Sequence, residues 1–128
     1  MRFAKIVFTV AGVYGLLVLV PQYFLEGKYG RDFPPPVEHP EHYYGFVGLA
    51  VVWQLLFLLL ARDPVRYRPV MIVAVLEKLS FGLAVPVLHL AGRVAPLMLV
   101  PACVDLVLGA LFVAAYLKTP ARDSSKAA

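Results

Sequence analysis

The sequence predicts an all-α polytopic membrane protein, an antiparallel bundle of four transmembrane helices. Three observations point there. The 128 residues are 61% hydrophobic and only 16% charged, against about 45–50% apolar and 25% charged in ordinary soluble domains. The apolar residues gather in four runs, at about 4–25, 42–61, 70–91 and 94–117, each near the ~20 residues that cross a hydrocarbon core. Runs such as Leu55-Leu56-Phe57-Leu58-Leu59-Leu60 do not alternate with polar residues, which excludes a membrane barrel. A span this apolar must then be helical, because a bilayer offers its backbone no other hydrogen-bond partners. Four spans consume roughly 80 residues, so a soluble catalytic domain has no room beside them.

The elements follow in order. Arg2 and Lys5 precede an apolar stretch from Ile6 to Val20 that no small-residue cleavage site follows, so it reads as an uncleaved first span. The loop from Glu26 to Glu41 carries Pro34-Pro35-Pro36, which is expected to be extended and stiff. Pro40, Pro69 and Pro96 each suit a first helical turn, where a missing N–H costs nothing. His39 reads as the cap of the second span, and Asp63-Pro64 as the cap of a short interfacial turn. The loop at Gly92-Arg93 is so short that the third and fourth helices must form a hairpin. Residues 1–117 thus make one transmembrane domain, and 118–128 read as a disordered cytoplasmic tail.

Charge sets the orientation. Of 12 Lys and Arg residues, eight (Arg2, Lys5, Arg62, Arg66, Arg68, Lys118, Arg122 and Lys126) fall on the side of the termini. Three, Lys28, Arg31 and Arg93, fall on the other side, and Lys78 lies within a span. The positive-inside rule places both termini in the cytoplasm and the chain in the cell (inner) membrane. No basic run interleaved with aromatics exists, which excludes a nucleic-acid partner. Cys103 is the single cysteine, so an internal disulfide and a Cys-x-x-Cys redox pair are both excluded.

Ionisable groups at membrane depth are costly and mark function first. Glu77, Lys78 and Asp105 lie within spans, with Gln54 level with Glu77 at about 10 Å depth and Asp105 at about 18 Å. A direct Glu77–Gln54 hydrogen bond is expected. Glu77 and Lys78 point about 100° apart and are not expected to pair, whereas Lys78 can snorkel to the surface or reach Asp105. Trp53, beside Gln54, is expected in the same polar pocket. The cluster reads either as a ligand or relay site, or as polar glue that fixes helix register.

Pro21, Pro86 and Pro101 lie in the outer halves of three spans and are expected to kink them. The resulting outer cavity would involve Tyr14, Gln22 and His89. The histidines His39, His42 and His89 gather at the outer surface, yet lack a recognised ligand spacing, and no metal site is predicted. Gly12, Gly15, Gly45, Gly48 and Gly109 would allow close helix approach. Tyr23, Tyr29, Tyr43, Tyr44, Tyr67 and Tyr116 would form interfacial belts.

Several segments carry a resemblance. They are Val20-Pro21-Gln22-Tyr23-Phe24, His39-Pro40-Glu41-His42-Tyr43-Tyr44-Gly45-Phe46, Trp53-Gln54, Arg62-Asp63-Pro64-Val65-Arg66-Tyr67-Arg68-Pro69 and Glu77-Lys78. Together they resemble an uncharacterised family of small bacterial four-helix membrane proteins. That family is similar in size and topology to the DoxX-like group, which resembles quinone-linked oxidoreductase subunits. Small multidrug transporters, also of four helices, carry an essential Glu in the first helix, and this chain has none there.

The leading reading is a non-enzymatic integral membrane protein that binds a lipid-like or hydrophobic small molecule, or a membrane partner, through the polar cluster. Two alternatives stand: an oligomeric proton- or ion-coupled small carrier, and a quinone-linked redox accessory subunit. No catalytic residues and no cofactor are legible. The expected partners are the bilayer, a hydrophobic small molecule or quinone, and a second copy of the chain.

Overall fold

The computed structural model describes residues 2–122. Helix α1 spans Arg2–Leu19 and tightens into a 3-10 stretch at Val20–Phe24. A short helix α2 follows at Glu26–Asp32, then α3 at Pro40–Arg62 and α4 at Arg68–Leu90. A 3-10 turn at Pro96–Met98 leads into α5 at Leu99–Lys118. With their 3-10 extensions, the four long helices each run 23 residues. At 1.5 Å per residue that is about 34 Å, enough to cross a hydrocarbon core of about 30 Å. The chain is therefore a membrane-embedded four-helix bundle, as its composition predicts. Residues 123–128 of the expected tail lie outside the described residues.

The bundle has three tight seams and one loose one. α1 packs along α3, α4 along α5, and α1 also meets α5, while α3 and α4 touch little. The starts of α1 and α4 and the ends of α3 and α5 share one end, called here the basic end because Arg2, Arg62, Arg68 and Lys118 lie there. The α2 end is opposite.

The half toward the basic end is filled by an aromatic plug. Phe8, Phe57 and Phe112 are fully buried. Phe8 stacks on Phe112 at 4.3 Å between centroids, and Phe57 meets Phe112 edge-on at 5.1 Å. Leu60, Met71 and five alanines, Ala4, Ala11, Ala61, Ala74 and Ala115, close around the rings. Small residues on every helix let large ones interdigitate, the packing that holds membrane helices together once lipid removes the hydrophobic drive between them. Leu49, Val52, Leu76, Val107 and Leu117 are exposed, as lipid-facing positions must be.

At the basic end, Asp63 Oδ1 accepts from the Arg66 amide at 3.3 Å, so it caps the turn between α3 and α4 as its residue type suggests. Arg68 does more than balance charge. Its Nε donates to the carbonyls of Tyr116 (3.2 Å) and Thr119 (2.7 Å), and its guanidinium lies 3.8 Å from the Tyr116 ring centroid. It thereby ties the start of α4 to the free carbonyls that end α5. At the other end, α4 closes in a Schellman motif: Gly92 adopts φ +73°, and the amides of Gly92 and Arg93 donate to His89 O and Leu88 O at 2.9 Å.

Several expectations are corrected. The 26–41 segment is not simply an extended loop but contains α2. Lys28 pairs with Asp32 one turn on, and Tyr44 Oη donates to Glu26 Oε2 at 3.1 Å, docking α2 on α3. After α2 the chain folds back, and Pro36 backs onto the buried Gly30. His39 occupies the cap position of α3, but its side chain pairs with Glu41 at 3.2 Å instead of capping. Of the three prolines expected to kink helices, only Pro86 lies inside one. Pro21 falls in the 3-10 stretch and Pro101 in the first turn of α5. Gly45 faces open space and takes no part in helix approach.

Candidate functional site

The loose seam between α3 and α4 holds a cavity of about 110 Å³ near mid-bundle. α3 supplies Phe46, Ala50 and Gln54; α4 supplies Glu77, Lys78, Ser80 and Phe81. α1 contributes Tyr14, Gly15, Val18 and Leu19, and α5 contributes Asp105. Tyr14, Val18, Phe46 and Ser80 are exposed and make the rim. Phe46 and Phe81 face each other across the seam with centroids 6.2 Å apart. The floor toward the basic end is the aromatic plug, since Lys78 Nζ lies 5.2 Å from the Phe57 ring centroid.

Lys78 is the most deeply buried charge, at 4% exposure. Its Nζ sits 3.5 Å from Asp105 Oδ1 and 3.6 Å from Glu77 Oε2. The reach to Asp105 that the sequence allows is made. The pairing with Glu77 corrects the expectation of a 100° divergence. That angle fixes where the two side chains leave the helix, not where a four-carbon stem can bring its ammonium. Both distances exceed the 2.7–2.9 Å of a tight ionic hydrogen bond. Two carboxylates and one ammonium leave the cluster one negative charge in excess when all three are ionised.

Gln54 is 2% exposed. Its Nε2 donates to Ala50 O at 2.9 Å, one turn back on its own helix. That acceptor fixes the orientation of the amide, so Oε1 is the free end. Oε1 lies against Gly15, in the space a Cβ there would occupy. The expected Glu77–Gln54 bond is therefore absent: the two are level, but the Gln54 side chain folds along α3 into the notch of Gly15 instead of crossing to α4. Gln54 Oε1 and Glu77 Oε2 are both buried without a hydrogen-bond partner among the described residues.

The remaining candidates divide. Tyr14 lines the cavity together with the polar cluster. Gln22 does not: its Nε2 donates to Val18 O and its carbonyl accepts from Tyr43 Oη at 2.8 Å. His89 is turned to the α4–α5 loop, with Nδ1 3.4 Å from Val94 O. Trp53 leaves the polar pocket and packs on Phe57, centroids 6.2 Å apart. The outer cavity of the sequence reading thus becomes one with the polar cluster, at mid-depth. Among the described residues no group of three or more His, Cys, Asp or Glu is placed to hold a metal ion. His39 and His42 lie side by side, centroids 5.5 Å apart, while His89, in the last turn of α4, faces Val94 O.

Sequence reasoning missed Gly15 as the seat of Gln54, Ser80 at the rim, and the plug that floors the cavity. Gly15 was the most readable of these, since a small residue opposite a buried amide is what such an amide requires. Comparison with protein-family models, with curated proteins and with solved structures finds no match to this chain.

Proposed function

We propose that this chain is an integral membrane protein that binds a small amphipathic molecule by its head group. The head group enters the cavity between α3 and α4, and the apolar body stays at the seam in lipid. One observation carries the reading: a cavity holding two buried acceptors without a hydrogen bond among the described residues lies at the loose seam of the bundle. Its size supports binding by a head group alone, since sites that engulf a drug-sized ligand run to about 300–1,000 Å³. The basic end faces the cytoplasm on this reading, and the resemblance to small bacterial four-helix proteins favours a bacterial inner membrane.

The plug of Phe8, Phe57 and Phe112 favours a binder over a carrier, because it puts fully buried rings where a proton or ion path to the basic end would need polar groups. A quinone-linked role finds less support. An apolar cavity of about 150 Å³ is what holds one benzene, and a substituted quinone ring needs more than the 110 Å³ here.

The test is native mass spectrometry of the chain purified in mild detergent, beside Ala50→Phe, which fills the cavity. A bound amphipath present in the wild type and lost in Ala50→Phe is the expected result. Retention in Ala50→Phe would place binding elsewhere. Proton-coupled flux in liposomes that disappears in Glu77→Gln would favour the carrier instead, and a quinone in the extract would favour the redox subunit.

A further inference from the structure

We infer that the head group this cavity takes is a monocationic amine. The inference rests on the binding reading above and assigns the chemistry of its ligand. Gln54 Oε1 and Glu77 Oε2, buried without a hydrogen bond among the described residues, are both acceptors, and Lys78 Nζ approaches Glu77 Oε2 only to 3.6 Å, so the missing hydrogen-bond partner is a donor. Ala50 O holds one N–H of the Gln54 amide, which fixes Oε1 as the end without a partner. With all three groups ionised, the site also carries one uncompensated negative charge, from Glu77 and Asp105 against Lys78. An ammonium supplies both the N–H donors and the charge. A carboxylate, a phosphate or a quinone carbonyl supplies acceptors where acceptors already stand. Phe46 and Phe81 at the seam add aromatic faces that favour a passing cation. An ammonium is also small enough for 110 Å³.

The amine has two sources, a lipid whose head carries an ammonium or a free amphiphilic amine. The experiment uses the full chain in lipid nanodiscs and four probes with one decyl tail: decylamine, decanol, decanoate and a decyl-substituted benzoquinone. Binding is read by calorimetry and by thermal shift. Decylamine is expected to bind at least about tenfold tighter than decanol, with decanoate and the quinone weaker still. Glu77→Gln is expected to remove that preference, so that decylamine and decanol both still bind and do so within about twofold of each other, a readout that loss of folding would not give. Equal affinity for decylamine and decanol, as a protonated Glu77 would produce, overturns the inference. So does a preference for decanoate or the quinone, and either result leaves the cavity reading standing. Failure of all four probes to bind overturns the cavity reading as well. Weaker decylamine binding in phosphatidylethanolamine discs than in phosphatidylcholine discs supports the inference with the lipid as source. Equal binding in the two supports it with a free amine.

Discussion

Lys78 Nζ lies 3.5 Å from Asp105 Oδ1 across the α4–α5 seam, and Glu77, its neighbour in sequence, holds the same ammonium at 3.6 Å. The three groups share one electrostatic problem, so the cost of removing each depends on what is left. Lys78→Met strands two carboxylates at membrane depth and is expected to cost about 3–5 kcal/mol, the range for breaking a buried pair from one side. Asp105→Asn is expected to cost clearly less, because Lys78 keeps Glu77. Replacing all three with apolar or amide side chains is expected to restore stability to near wild type. Unfolding of the three variants in detergent micelles checks the order. A triple variant as unstable as Lys78→Met would sink the account.

The bundle was legible in the sequence because membrane spans are a compositional signal: Leu55–Leu60 cannot be anything but lipid-compatible helix. The ionisable part of the site was legible too, because Glu77, Lys78 and Asp105 are conspicuous in apolar runs. Pairing was not. Depth along a helix says which groups are level, as it did for Glu77 and Gln54, but not which way a flexible side chain folds. Gln54 turned back to Ala50 because Gly15 left it a notch, and a notch is a property of two helices. Helix α2 was hidden for a related reason. Seven residues make a marginal helix alone, and it is the Tyr44–Glu26 bond and the Tyr29–Tyr43 contact that hold it.

The Gly15 notch gives a second prediction. A Cβ at that position would overlap the Gln54 side chain, so Gly15→Ala is expected to destabilise by about 1–3 kcal/mol, the usual cost of overpacking. Gln54→Ala removes the obstacle. The double variant is expected to recover most of that loss, giving a coupling of about 0.5–3 kcal/mol in a double-mutant cycle. Additive single effects would mean that α1 shifts as a whole and that Gln54 is not the contact that matters.

Orientation is tested with introduced cysteines in a Cys103→Ala background, so that each variant carries a single thiol. Gly27→Cys in α2 is expected to label with an impermeant maleimide added outside intact spheroplasts. Arg66→Cys, in the turn that joins α3 to α4, is expected to label only after the membrane is opened. The reverse pattern would place the basic end outside, against the charge bias.

The plug and the seam make opposite demands on their phenylalanines. Phe57 is fully buried and touches Phe8, Phe112 and Trp53 at once. Truncating it removes a ring that its neighbours cannot replace by moving, so Phe57→Ala is expected to cost about 3–5 kcal/mol. Phe46 is 51% exposed at the rim. Its truncation leaves no enclosed void, since lipid fills the space, and is expected to cost less than about 1 kcal/mol. Ligand binding should respond the other way round, with Phe46→Ala weakening an amphipath at the seam while Phe57→Ala leaves the intact fraction able to bind. Phe57→Ala has a further consequence. It opens the floor beneath Lys78, and a membrane that held protons with the wild-type chain should then leak them in a liposome assay. An equally tight membrane would mean that the remaining rings of Phe8 and Phe112 close the gap by themselves.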